Sequence, residues 1–143
     1  MLSIVLDLTL KHIQEIGSSG IWTVSSSKPA HGVANLRDGN LDTYWQSDGG
    51  TPHSILVEFG ERVLVSHVAL YLDYGLDESY TPQHIVLKAG LQEPELTDVL
   101  QGTVKKATGW LIIDIQQEST YTIHSLHGDE KDEKEDEERR GRS

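Results

Sequence analysis

From Ile21 to Ile115 every apolar stretch is short, and glycine, proline, asparagine, aspartate or serine clusters break in before a helix of ordinary length can form. "IWTVSS" (21–26) alternates apolar and polar residues, and "SILVEF" (54–59) puts Ile55, Val57 and Phe59 on one face. "RVLVSHVALYL" (62–72) is longer and almost wholly apolar, and "HIVLKAG" (84–90) and "WLIIDI" (110–115) follow. The pattern predicts five strands separated by "SSSKPAHG", "RDGN", "SDGGTPH", "DYGLDESYTPQ" and "GLQEPE". With no helical segment between strands, a doubly wound parallel sheet is disfavoured, and an all-β antiparallel sandwich or jelly roll is expected.

The two ends follow different rules. Leu6, Leu10 and Ile13 recur at helical spacing, which predicts a short amphipathic helix over residues 5–15, ending near Gly17 and packed on the main body. "MLSIVLDLTL" has no cationic leader and is interrupted by Asp7, so it matches neither a signal peptide nor a membrane span. At the other end "HGDEKDEKEDEERRGRS" offers no apolar side chain to bury, and a disordered, charged tail is expected there. The domain reading is therefore an N-terminal extension over 1–16, a β domain over 17–127 and a tail over 128–143.

A chain of 143 residues suits one domain. Its 12 basic and 23 acidic residues give a formal charge of −11, which argues against general attraction to nucleic acid or to anionic membranes. The absence of cysteine rules out a disulfide framework or thiolate metal site in this sequence and fits a reducing compartment. An intracellular protein is the expectation.

The densest loop, "DTYWQSDGGTPH" (42–53), holds a serine, two aspartates and a histidine. Ser47 in "WQSDGG" does not sit in the G-x-S-x-G turn that exposes a nucleophile, and no histidine pair has H-E-x-x-H spacing. His67 and His84 fall within strand patterns, where a structural histidine is expected, and His31 and His53 fall in loops. An enzyme is not expected. "RDGNLDTYW" places the oxygens of Asp38, Asn40, Asp42 and Thr43 around Gly39, a spacing open to two readings. One is a cation loop without the distal glutamate; the other is a turn in which Asp38 and Asn40 cap backbone amides and Gly39 takes a positive φ. Trp45 is expected to peg the loop by packing.

The strings "EIGSSGIWTVSSSKPAHGVANLRDGNLDTYWQSDGGTPHSILVEF" and "ALYLDYGLDESYTPQHIVLKAG" resemble the DOC domain of the anaphase-promoting complex, from about Glu15 to Ile115. That resemblance implies a galactose-binding-like jelly roll in a non-catalytic part of a ubiquitin ligase. It implies no cofactor, and as partners the other subunits of the complex, its co-activator and destruction-box substrates. Loops at one end of the barrel would face the ligand. These are "YWQSDGGTPH" (Tyr44, Trp45, Gln46, Ser47, Asp48, His53) and "DESYTP" (Asp77, Glu78, Ser79, Tyr80, Thr81, Pro82), with Ser47, Asp48, His53, Asp77, Glu78, Ser79 and Tyr80 as the degron-binding candidates. Asp48, Asp77 and Glu78 suit a peptide bearing arginine, because carboxylate and guanidinium pair in a defined geometry. A discoidin-type carbohydrate-binding module, with the same fold and loop grammar, is the alternative.

The chain departs from the family pattern after "GWLIIDI", where further closing strands and a terminal Ile-Arg docking tail are expected. One more strand is predicted within 119–126, and the sequence then runs into the charged tail and ends in Gly-Arg-Ser. A sandwich short of its last strands would expose an edge, so marginal stability alone and impaired assembly through the tail are expected.

Overall fold

The computed structural model describes residues 14–115. Six strands account for most of its regular structure: β1 (Gly20–Val24), β2 (Ile55–Phe59), β3 (His67–Asp73), β4 (His84–Ala89), β5 (Thr97–Thr103) and β6 (Thr108–Asp114). The only α-helix among the described residues is one turn, α1 (Tyr74–Asp77). The helix expected over 5–15 lies outside the described residues except for Gln14 and Glu15, which are not helical. The strand expected within 119–126 and the charged tail also lie outside them.

The strands form three antiparallel ladders, β1 with β2, β3 with β6, and β4 with β5. Successive side chains of a strand point to opposite faces, so the register decides what enters the core. In the β3–β6 ladder Val68 faces Ile113, Leu70 faces Leu111, and Leu72 faces Gly109. Leu70, Leu72, Leu111 and Ile113 meet Leu36, Leu100, Val104 and Ala107 in one core, against which Trp22, Val24, Ile55, Val68, Ile85 and Leu87 also pack. All three ladders therefore turn an apolar face to the same interior, which makes an all-β sandwich. On the opposite face of the β3–β6 ladder Tyr71 and Trp110 are cross-strand partners, with ring centroids 5.2 Å apart in an edge-to-face contact.

Four of the five expected strands lie close to their predicted limits. The fifth, expected over 62–72, begins only at His67, and Leu64 in the preceding segment is 86% exposed. β5 was absent from the expectation. Its sequence "TDVLQGT" carries one buried side chain, Leu100, and so shows no alternation. It becomes a strand because β4 supplies hydrogen-bonding partners along its length, with a register shift at Leu87/Lys88.

A cluster at the start of the domain ties the chain to its first long loop. Arg37 donates from Nη1 to Glu15 Oε1 at 2.7 Å, and its guanidinium carbon lies 5.0 Å from the centroid of the Trp22 ring. Glu15 Oε1 also accepts the Gly17 amide at 2.8 Å, and Trp22 Nε1 donates to the Gly17 carbonyl at 2.8 Å.

Candidate functional site

The loop before β2 begins with the "RDGN" turn. Asp38 Oδ1 accepts the Asn40 amide and Asn40 Oδ1 accepts the Asp42 amide, both at 2.9 Å, while Gly39 adopts φ +73°. The Thr43 hydroxyl donates to Asp38 Oδ2 and lies 3.0 Å from the Asn40 carbonyl. Short polar side chains thus occupy themselves with nearby backbone, as in successive Asx turns. The Thr43 hydroxyl, and after it the Asn40 amide, hold the Asp38 carboxyl below its ordinary pKa, because both donate to the charged form. Of the four weak cation candidates, Asp38, Asn40 and Thr43 are engaged in this turn, and Asp42 is exposed. Among the described residues no group of three or more His, Asp or Glu side chains is arranged to hold a metal ion.

The following residues lie against segment 25–31. Trp45 packs on the core and donates from Nε1 to the Ser26 carbonyl at 2.9 Å, as expected of a peg. Tyr44 stacks on His31 with centroids 4.3 Å apart and planes 10° from parallel. His31 Nδ1 is buried without a hydrogen-bond partner. Backbone bonds run from Gln46 to the His31 carbonyl at 3.0 Å and from Lys28 to the Gln46 carbonyl at 2.9 Å. Asn35 Nδ2 bridges the two segments by donating to the carbonyls of Ala30 and Tyr44.

Two serines then close the loop. The Ser26 hydroxyl donates to the Asp48 carbonyl and accepts the Asp48 amide at 2.9 Å. Ser25 donates its amide to the Ser54 carbonyl, and its Oγ accepts the Ser54 amide, both at 2.9 Å. Between these anchors Asp48 Oδ1 accepts the Gly49 amide, and Gly49 takes φ +81°, a conformation that favours glycine. Ser47 is half-buried, whereas Asp48 and His53 are exposed.

The second loop is built on the end of β3. Asp73 caps α1, its Oδ1 accepting the Leu76 amide at 3.1 Å. The Glu78 amide bonds the Tyr74 carbonyl, and Glu78 itself sits at φ +48°, ψ −121°, a region L-residues rarely enter. A 3-10 turn over Glu78–Tyr80 follows, and Thr81 is 5% exposed with its hydroxyl oxygen unpartnered. The loop is fastened at both ends to the connection between β5 and β6: the Tyr74 amide donates to Ala107 O at 3.0 Å, and the Val104 amide to Gln83 O at 2.8 Å. Glu78, Ser79 and Tyr80 are consequently presented outward, Tyr80 at 86% exposure, and Asp77 is half-buried.

The seven candidate residues therefore fall into two braced groups, Ser47, Asp48 and His53 in one and Asp77, Glu78, Ser79 and Tyr80 in the other. Hydrogen bonds of the first group's loop run to segment 25–35 and those of the second to 104–107; no hydrogen bond or ion pair joins the two loops among the described residues. His67, expected to be structural, lies 2.8 Å from Ser66 Oγ through Nδ1 and 3.6 Å from Asp114 Oδ2 through Nε2. His84, expected to be the same, is exposed, because β4 turns Ile85 and Leu87 inward and His84 outward. The clamping roles of Ser25 and Ser26 and the His31–Tyr44 stack were not foreseen; "SSSKP" reads only as a turn cluster, and the serines' partners lie 29 and 22 residues away.

A family model described as "Anaphase-promoting complex, subunit 10" matches residues 6–136. Among curated proteins, anaphase-promoting complex subunit 10 of Drosophila melanogaster is 39% identical over 117 residues, covering 82% of this chain and 60% of that protein. The Homo sapiens subunit 10 is 41% identical over 103 residues, covering 72% of this chain and 56% of the human one. The Dictyostelium discoideum subunit 10 is 43% identical over 101 residues, or 71% and 54% of the two chains. The matches span a little over half the length of these relatives.

Proposed function

The chain belongs to the anaphase-promoting complex subunit 10 family, and on that premise we propose that it acts as a non-catalytic substrate-recognition subunit of that ubiquitin ligase. It helps the co-activator hold destruction-box degrons and so promotes processive ubiquitination of cell-cycle proteins. The match across residues 6–136 carries this reading. Its partners are the other subunits, the co-activator and the degron, it needs no cofactor, and it works in the nucleus and cytoplasm. We assign the DOC domain to residues 17–127 of the sequence, between an N-terminal extension over 1–16 and the charged sequence over 128–143.

The two braced loops supply the recognition face. Rigid loops bind with less loss of conformational freedom, and both of these are anchored at their ends. Asp48, Asp77 and Glu78 bring carboxylates toward a basic peptide side chain, while Tyr80 offers an exposed ring.

The test has two arms. Affinity purification of the tagged full chain from cells should recover ubiquitin-ligase subunits; recovery of none, together with binding on a glycan array, would favour the carbohydrate-binding alternative. Titration of a destruction-box peptide with co-activator present should weaken about tenfold in the Asp77→Ala/Glu78→Ala double variant, the loss expected for charge-assisted bonds. Unchanged affinity removes these acids from the face.

A further inference from the structure

Ser26 stands outside every candidate group, yet its side chain meets the Asp48 backbone twice. One hydroxyl serves as donor to the Asp48 carbonyl and as acceptor for the Asp48 amide, and the Ser26 carbonyl receives the Trp45 indole N–H. The same residue therefore connects the buried end of the loop, Trp45 on the core, to its exposed end, Asp48. No other side chain among the described residues bonds the Asp48 amide. Downstream, Asp48 turns its own Oδ1 to the Gly49 amide, so the direction of its carboxylate depends on where Ser26 holds its backbone. A hydroxyl is required for this double contact, since it alone among small side chains both donates and accepts through one atom.

We propose that Ser26 is a positioning residue of the recognition face: it fixes the backbone of Asp48 and thereby aims Ser47, Asp48 and the following turn at the bound peptide. This rests on the reading of the 42–53 loop as part of that face. Ser26 does not itself touch the peptide. Its effect is transmitted through a pre-formed loop, which lowers the ordering required on binding.

The test compares Ser26→Ala, Ser26→Thr, Asp48→Ala and Ser27→Ala in the full chain, Ser27 being the exposed neighbour that makes no such bond. Three quantities are read: destruction-box peptide affinity with co-activator present, hydrogen exchange of the Asp48 amide, and the thermal midpoint. Ser26→Ala should weaken peptide binding about fivefold, speed exchange at Asp48 about tenfold, the scale of a lost hydrogen bond, and lower the thermal midpoint by a few degrees. Ser26→Thr, which keeps the hydroxyl, should restore all three, and Ser27→Ala should change none. If Ser26→Ala leaves affinity intact while Asp48→Ala weakens it, the positioning role is overturned and the face reading survives. If both variants bind normally, the loop is not part of the face and the proposal falls with it. A lowered midpoint that Ser26→Thr does not restore would also overturn it, by making Ser26 merely structural.

Discussion

Arg37 Nη1 lies 2.7 Å from Glu15 Oε1, joining the segment before β1 to the loop that leads to β2. Both side chains are partly shielded, at 23% and 28% exposure, and the guanidinium also rests over Trp22. Arg37→Ala therefore removes an ion pair and a cation–π contact together. It should destabilise the domain by about 1–2 kcal/mol, read as a lower denaturant midpoint at unchanged slope. Arg37→Lys should recover less than half of that, because an ammonium lacks the planar surface that stacks on the indole.

Gly17 is what allows that pair to form. A Cβ at this position would fall 1.9 Å from Arg37 Nη1 and 2.6 Å from Glu15 Oε1, so Gly17→Ala must displace both charged groups from their present geometry. Its cost and that of Arg37→Ala should not add. In a double-mutant cycle, Gly17→Ala is expected to cost about 1 kcal/mol less in the Arg37→Ala background than in the wild type. Additive effects would contradict the shared mechanism.

Acid should loosen the "RDGN" turn. Asp38 is held below the ordinary carboxylate value of 3.8 by the Thr43 hydroxyl and the Asn40 amide. A depressed folded-state pKa contributes stability that is fully present above the unfolded value and is lost as pH falls through the folded one, so the contribution fades below about pH 4. Thr43→Ala removes the larger cause. A carboxyl NMR titration should then show the Asp38 pKa rising toward 3.8, and the variant should lose less stability on acidification.

Glu78 presents its side chain from a backbone geometry better suited to glycine, φ +48° with ψ −121°. Glu78→Gly should relieve that strain and raise stability by up to about 1 kcal/mol in thermal or denaturant unfolding. Glu78→Gln, which keeps the Cβ, should leave stability near wild type. If Glu78 also meets the peptide, both variants weaken peptide binding, and stability and binding move in opposite directions in Glu78→Gly. A Glu78→Gly variant no more stable than Glu78→Gln would argue against the strain.

Legibility followed the range of the interactions. β1 and β2 were readable because alternation at a period of two is written into neighbouring residues, and the "RDGN" turn because Asp38 and Asn40 cap amides two positions away. β5 was not, because one buried leucine in seven residues makes no pattern and its strand character comes from pairing with β4. The exposed state of His84 was likewise hidden, since which face of β4 turns inward is decided by what packs against it.

The candidate site divides in the same way. Taken alone, the sequence determined which residue types crowd into the loops at 42–53 and 77–82, where the turns lie, and the resemblance to the family the chain belongs to. Only the tertiary structure decided that Ser26 grips Asp48 across a separation of 22 residues, that Tyr44 stacks on His31, and that the "DESYTP" loop is fastened to the β5–β6 connection. Capping and alternation are local and appear as spacing along the chain. A contact between distant segments exists only once the core has set their relative positions, so no spacing records it.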